Sequence, residues 1–316
     1  MRKLRLIPDN THFRFMRIRR LVFSVSILLS VLSVAIFFLI GPQYGIDFKG
    51  GTLIEMKPLS EATELADIRS TLDGLELGDV QVQEVSDLAT GTNIMVRIQA
   101  QEGGEEAQQI AIAKVRTSFE KEMEFRRVEI VGPRVSSELA YNGTIGVIVA
   151  LFCIMIYVWF RFEWQFALGA IITTIHDVLM TLGFFTVFQL EFDLSSIAAL
   201  LTIVGYSLND TVVVYDRIRE NLRKFKKMSL SDLIDLSINE TLSRTTITSL
   251  TTLVALGALY FFGGPVIASF VDAMIFGIVI GTFSSIFIAA PILIYLKLGV
   301  GRSNADETET GTLAEV

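Results

Sequence analysis

Residues 205–221 read GYSLNDTVVVYDRIREN, and they close an apolar run that begins near residue 195 and is long enough to cross a bilayer. A carboxylate at membrane depth costs roughly 2.5 to 3.5 kcal/mol on insertion scales, so Asp210 is a functional candidate with a partner to be found, and Asn209 beside it shares that interest. The composition places the chain in the same class. Of its residues 51% are hydrophobic, 23 are Phe and 19% are charged, with mean hydropathy +0.53, which describes a polytopic α-helical membrane protein.

Outward from that stretch, hydropathy predicts six transmembrane helices over residues 21–41, 142–160, 165–187, 195–215, 245–262 and 267–294. The first apolar run is too long for a secretory h-region, and no small-x-small cleavage site precedes Gly41-Pro42, so it reads as an uncleaved anchor. The basic amino-terminal segment 1–20 and the loop 216–244 carry seven Lys or Arg each, whereas the turns 188–194 and 263–266 carry none. The positive-inside rule then puts both termini in the cytoplasm and residues 42–140 outside it, in the periplasm of a two-membrane cell. Net charge is +6 for residues 1–41, −8 for 42–140 and −5 for 141–316, so a basic nucleic-acid footprint is missing. The lone cysteine, Cys153, falls in the second span, where it reads as a packing residue; residues 42–140 must fold without a disulfide.

Residues 42–140 show the pattern β-α-β-β-α-β. Strands are expected over 52–57 (TLIEMK), 80–85, 93–98 (NIMVRI) and 127–131, with helices over 61–72 and 105–122, the second having Ile110, Ala113, Val115 and Phe119 on its apolar side. This is the ferredoxin-like arrangement, and about one hundred residues suffice for its two-layer core.

Depth along the spans points to a partner for Asp210. Counting 1.5 Å per residue from the entry near Ser195, Asp210 lies roughly 22 Å in, and Arg244 opens the fifth span at the same level. Thr248, Thr251 and Thr252 follow Arg244 at helical spacing, a polar stripe expected to face span four. Span three holds His176 and Asp177 near its midpoint, with Thr173, Thr174 and Thr181 within a turn, and span six holds Asp272 near its outer end. Ordered by depth these groups form a ladder suited to moving protons, or, on the plainer reading, a set of interhelical hydrogen bonds.

Other chemistries find no support. Lys49-Gly50-Gly51-Thr52 lacks the spacing of a phosphate-binding loop, Gly205-x-Ser207 misses the nucleophile-elbow pattern, and His12 with His176 cannot build an H-E-x-x-H metal site. Neither enzymatic activity nor a cofactor or metal is expected. Gly277-x-x-x-Gly281 reads as a close-packing face, residues 229–242 as a capped amphipathic helix lying on the cytoplasmic membrane surface, and residues 301–316 as a disordered tail.

The order of one span, an external domain and five further spans resembles half of an RND-superfamily transporter. The motifs GIDFKGGT (45–52), VGPRVS (131–136), GYSLNDTVVVYDRIREN and NETLSRTTITSLTT (239–252) resemble the SecF family of bacterial protein-export subunits over residues 12–297. That resemblance implies a subunit of the inner membrane which pairs with SecD as the second half of a pseudo-symmetric bundle. It also implies association with the SecYEG channel and with YajC and YidC, and use of the proton motive force to assist passage of unfolded polypeptide. The membrane aspartate and arginine that serve proton conduction in that family correspond to Asp210 and Arg244. A proton-coupled exporter of small molecules or lipids and a passive scaffold stand as alternatives.

Overall fold

A computed structural model describes residues 11–60, 65–87, 91–296 and 298. After a 3-10 turn at Phe15–Arg17, helix α1 (Arg19–Leu39) leads through strand β1 (Gln43–Tyr44) and the single turn α2 (Ile46–Lys49) into an α/β domain. That domain comprises β2 (Gly51–Pro58), α3 (Leu65–Asp73), β3 (Val80–Asp87), β4 (Gly91–Ile98), α4 (Gly104–Phe119) and β5 (Met123–Val131). Its sheet has the order β3-β4-β2-β5 and every pairing is antiparallel, with Ile54 of β2 opposite Val96 on one side and Val128 on the other. Alternation puts Ile54 and Met56 of β2 into the core with Val96 and Ile98 of β4, where they meet Ile68 and Leu72 of α3 and Val115 and Phe119 of α4. Each such burial contributes about 1.5 to 3 kcal/mol.

Helix α4 buries Val115 and Phe119 as its sequence suggests but is rotated at the other two positions. Ala111, Ile112, Val115 and Phe119 are buried while Ile110 and Ala113 are exposed, because Gln108 also points in and donates to Thr52 Oγ1, fixing the rotation about a polar anchor. The last strand begins at Met123 rather than 127, its early residues pairing with Met56–Pro58 past a bulge at Glu55/Met56.

The remaining helices are α5 (Pro133–Arg161), α6 (Trp164–Val187), α7 (Leu194–Lys224), α8 (Leu230–Phe262) and α9 (Ala268–Ser284), with strand β6 (Glu191–Phe192) between α6 and α7. A π-turn (Ser285–Ala289) joins α9 to α10 (Ala290–Tyr295). Among the described residues six helices are long and apolar enough to cross a membrane, α9 and α10 counting as one. Pro133 stands at the first turn of α5, where its missing N–H costs nothing, and Asp193 with Ser196 forms a capping box on α7. The π-turn directly precedes Pro291, whose ring would strike the carbonyl of residue 287 in a regular α-helix, and Tyr215 Oη donates to Ala289 O at 2.9 Å beside it.

Helices α6, α7 and α9–α10 form the inside of the bundle; α1 and α5 lie outside it, with few fully buried residues, α1 packing along α6 where Ser33 meets Gly183. In lipid no hydrophobic force draws helices together, so close backbone approach must do it. Gly277 and Gly281 supply that approach: a Cβ on the first would collide with Ile203 of α7, and on the second would stand 2.9 Å from Ser207 Cβ.

Two further expectations need correction. Cys153 is exposed on α5 and packs into no core of this chain. Residues 229–242 are not a separate surface helix. Ser229 caps it through Asp232 N as expected, but no Gly or Pro interrupts the chain before Gly257, so α8 runs unbroken to Phe262. Its Leu233, Ile234 and Ile238 pack into the same cluster as Tyr215 and Ile218. Residues 1–10 and 301–316, including the expected disordered tail, lie outside the described residues.

Candidate functional site

Asp210 sits on the buried face of α7, 3% exposed, and its Oδ2 has no hydrogen-bond partner among the described residues. Helices α7 and α8 run antiparallel, and side-chain bonds mark their register: Tyr206 Oη to Ser249 Oγ at 3.2 Å, and Asn221 Nδ2 to Ser237 Oγ at 3.0 Å. That register sets Asp210 opposite residues 245–248. Thr245 Oγ1 of α8 and Thr211 Oγ1 are likewise buried without a partner among the described residues; Asp210 follows Tyr206 by one turn and faces α8, whereas Thr211 follows Ser207 by one turn and shares its face. Buried polar groups are satisfied in the great majority of cases, so these unpaired atoms make the α7–α8 seam a candidate site.

Arg244 is the charged neighbour that acts on Asp210 electrostatically, yet the two form no ion pair within 4.0 Å, and the Arg244 side chain is exposed. The threonine stripe is displaced from its expected phase. Thr248, Thr251 and Thr252 return their hydroxyls to their own helix, whereas Thr245 and Ser249 face inward, Ser249 bonding Thr282 at 2.7 Å. Asn209 is exposed too. Asn209 of α7 and Arg244 of α8 are thus two polar groups of the spans that the described residues leave uncovered.

Asp177 is fully buried and connects three helices. One oxygen accepts hydroxyls from Ser207 of α7 and Ser284 of α9, the latter at 2.8 Å, and the other lies 2.9 Å from His176 Nδ1. The nearby threonines expected to assist do not reach the carboxylate: Thr173 and Thr181 bond backbone carbonyls at i−4. His176 Nε2 is buried without a partner among the described residues. Asp272 is half-buried near the start of α9 and makes no hydrogen bond or ion pair with the described residues. The ladder is therefore not a continuous hydrogen-bonded chain. Asp177 joins neither Asp210 nor Asp272 through a side-chain bond.

Sequence reasoning missed one clamp altogether. Asn239 on α8 reads the backbone of Phe13 both ways, accepting from its N–H at 3.0 Å and donating to its carbonyl at 2.8 Å, while Asp235 accepts from Met16 N at 2.9 Å.

Comparison with known proteins fixes the family. The family described as protein export membrane protein SecD/SecF, C-terminal, matches residues 111–299, and the SecD/SecF GG motif matches residues 35–58. The chain belongs to the SecD/SecF protein-export family. The protein translocase subunit SecF of Rhodobacter capsulatus is 44% identical over 97% of this chain and 96% of its own length. The protein translocase subunit SecDF of Brucella abortus is 45% identical over 99% of this chain but 41% of its own length. The crystal structure of SecDF, a translocon-associated membrane protein from Thermus thermophilus, matches with TM-score 0.82 and 34% identity, covering 93% of this chain and 40% of that one. This SecD/SecF-family chain thus spans about two fifths of the SecDF relatives and nearly all of the SecF relative.

The GG motif of the family has a steric basis here. Gly50 and Gly51 have φ of +72° and +123°; a Cβ on Gly51 would collide with Ile98 O, and one on Gly50 would stand 3.2 Å from Ser136 Oγ at the start of α5. The motif's neighbours join the α/β domain to the bundle. Strand β1 pairs in parallel with β6, Asp47 Oδ2 accepts from Leu194 N at the head of α7 at 3.0 Å, and Arg97 of β4 bridges to Glu191 at 2.5 Å. At Gly45 an added Cβ would lie 2.7 Å from Glu191 Oε1, so a larger residue there would displace the Glu191 carboxylate.

Burial holds the Glu191 carboxyl above its ordinary range, reinforced by the charges of Asp193 and Asp47 and opposed by Arg97. The folded chain therefore binds more protons than the unfolded one between the ordinary and the raised value. The stability contributed by this group is present at lower pH and is lost as pH rises through that window. Opening of the β1–β6 junction exposes Glu191 to water and returns it toward its ordinary value, so opening should become rarer as pH falls through the same window. Protection of the amides of residues 43–45 and 189–192, corrected for the intrinsic pH dependence of hydrogen exchange, should rise on acidification from neutral, and Glu191→Gln should remove the trend. Protection that stays flat in the wild type contradicts it.

Proposed function

We propose that the chain is a SecF-type subunit of the protein-translocation machinery, and that it moves protons through the α7–α8 seam to assist export of unfolded polypeptide. One observation carries this: Asp210, buried in a membrane-spanning helix, holds an oxygen that nothing among the described residues satisfies, with Arg244 as its charged neighbour. Protonation of Asp210 releases its hold on Arg244 and lets α7 and α8 shift. A SecD-type half is the partner. The SecDF relatives support this, and so does the exposure of Asn209 and Arg244, polar groups that lipid solvates poorly.

Both termini are assigned to the cytoplasm, and the α/β domain, read as ferredoxin-like from its β-α-β-β-α-β order, to the periplasm. SecYEG, YajC and YidC are the further partners. The test is proton uptake by right-side-out vesicles holding the chain with its SecD-type half. Arg244→Leu should bring uptake to the level of vesicles lacking the complex, and uptake equal to wild type would leave a scaffold as the reading.

A further inference from the structure

Asp177, which the proton-carrying seam does not use, is more enclosed than Asp210, at 0% exposure against 3%. Its Oδ2 accepts two hydroxyls from different helices, Ser207 on α7 and Ser284 on α9, and His176 Nδ1 sits 2.9 Å from Oδ1. Ser207 precedes Asp210 by three residues and Thr211 by four, which is one helical turn. At that same turn α9 reaches backbone contact with α7, because Gly281 leaves no side chain between them. Ser207 is thus pressed from one side by Gly281 and held from another by a carboxylate.

We propose that Asp177 is a positioning residue. Its carboxylate fixes the rotation of α7 through Ser207 and so keeps Asp210 aimed at α8. This rests on the role given to Asp210 above. The two serines distinguish the idea from general bracing of the bundle. Ser284 ties the same oxygen to α9, which carries neither Asp210 nor Thr245 of the seam, so losing its hydroxyl leaves α7 held. Losing the Ser207 hydroxyl frees α7. A brace would depend on both alike.

The experiment uses the full chain with its SecD-type half in native membranes, in a Cys153→Ser background. Thr211→Cys, at a buried position, reports the rotation of α7 through its rate of maleimide labelling, and export is followed separately, without that substitution, as a function of pH. Ser207→Ala and Asp177→Asn should each raise labelling and lower proton-coupled export by about tenfold, the scale expected when a reacting group is misplaced by a fraction of an ångström to one ångström, and should shift the pH profile. Ser284→Ala should change neither by more than about twofold, as expected of a contact that does not set the geometry. Equal effects of the two serine variants overturn the proposal. So does an Asp177→Asn variant that stops export while the cysteine stays protected and Ser207→Ala is silent, since Asp177 would then carry the proton itself. Normal export by an Asp210 variant would remove the functional reading instead, and the labelling results would still report whether Asp177 anchors α7.

Discussion

Asp210→Asn is expected to lower proton-dependent export by about a hundredfold or more, the range in which loss of a positioned proton carrier falls. Asparagine keeps the size of the side chain and its capacity for hydrogen bonds but cannot switch charge. Insertion should not suffer, because a neutral amide costs less at membrane depth than a carboxylate. The measurement is translocation of a secretory precursor into energised inverted vesicles, with and without a protonophore, normalised to the inserted complex. Export by the variant that matches wild type and stays sensitive to the protonophore would reduce Asp210 to a structural group. One proton crossing 100 mV supplies about 2.3 kcal/mol, a roughly fifty-fold bias on a two-state element. Sustained movement of a polypeptide therefore needs repeated cycles.

Gly51→Ala should be the most damaging single methyl group in the α/β domain. The residue has φ of +123°, and the added carbon would collide with the Ile98 carbonyl, a backbone atom in the paired strand that cannot rotate aside. Strain of this kind costs on the order of 1 to 3 kcal/mol before the collision is relieved, and relief means parting β2 from β4 at the Thr52–Ile98 end of their ladder. The variant should show a severalfold lower steady-state level and rapid cleavage of residues 42–140 by added protease, while Gly91→Ala, at a positive-φ turn with open space around it, should be milder. Equal protease resistance of Gly51→Ala and wild type would remove the steric account of the motif.

The spans and the β-α-β-β-α-β order were legible because hydropathy and alternation are local signals. Rotation was harder to read. In α4 half of the expected apolar face and in α8 the polar face were misplaced, since Ile110 and Thr248 fit a 3.6-residue period nearly as well as Ile112 and Thr245; Gln108 and the Tyr206–Ser249 bond decide the phase. The partners of Asp177 were invisible for a different reason. Ser207 and Ser284 are 30 and 107 residues away, and a serine in an apolar helix has no pattern of its own. Asp210 and Arg244 stood out as charges in the wrong solvent, but depth alone could not tell that they act across a gap rather than through a salt bridge.

Asp47 occupies the head of α7, where a helix leaves its first amides without acceptors. A side chain from the root of the α/β domain thus completes the first turn of the same helix that carries Asp210 in its middle. Tilting or sliding that helix drags the domain's footing with it, and a load on the domain is felt along the same rod. The lever and its fulcrum are built from the Asp47 carboxylate, the Arg97–Glu191 ion pair and two short strands.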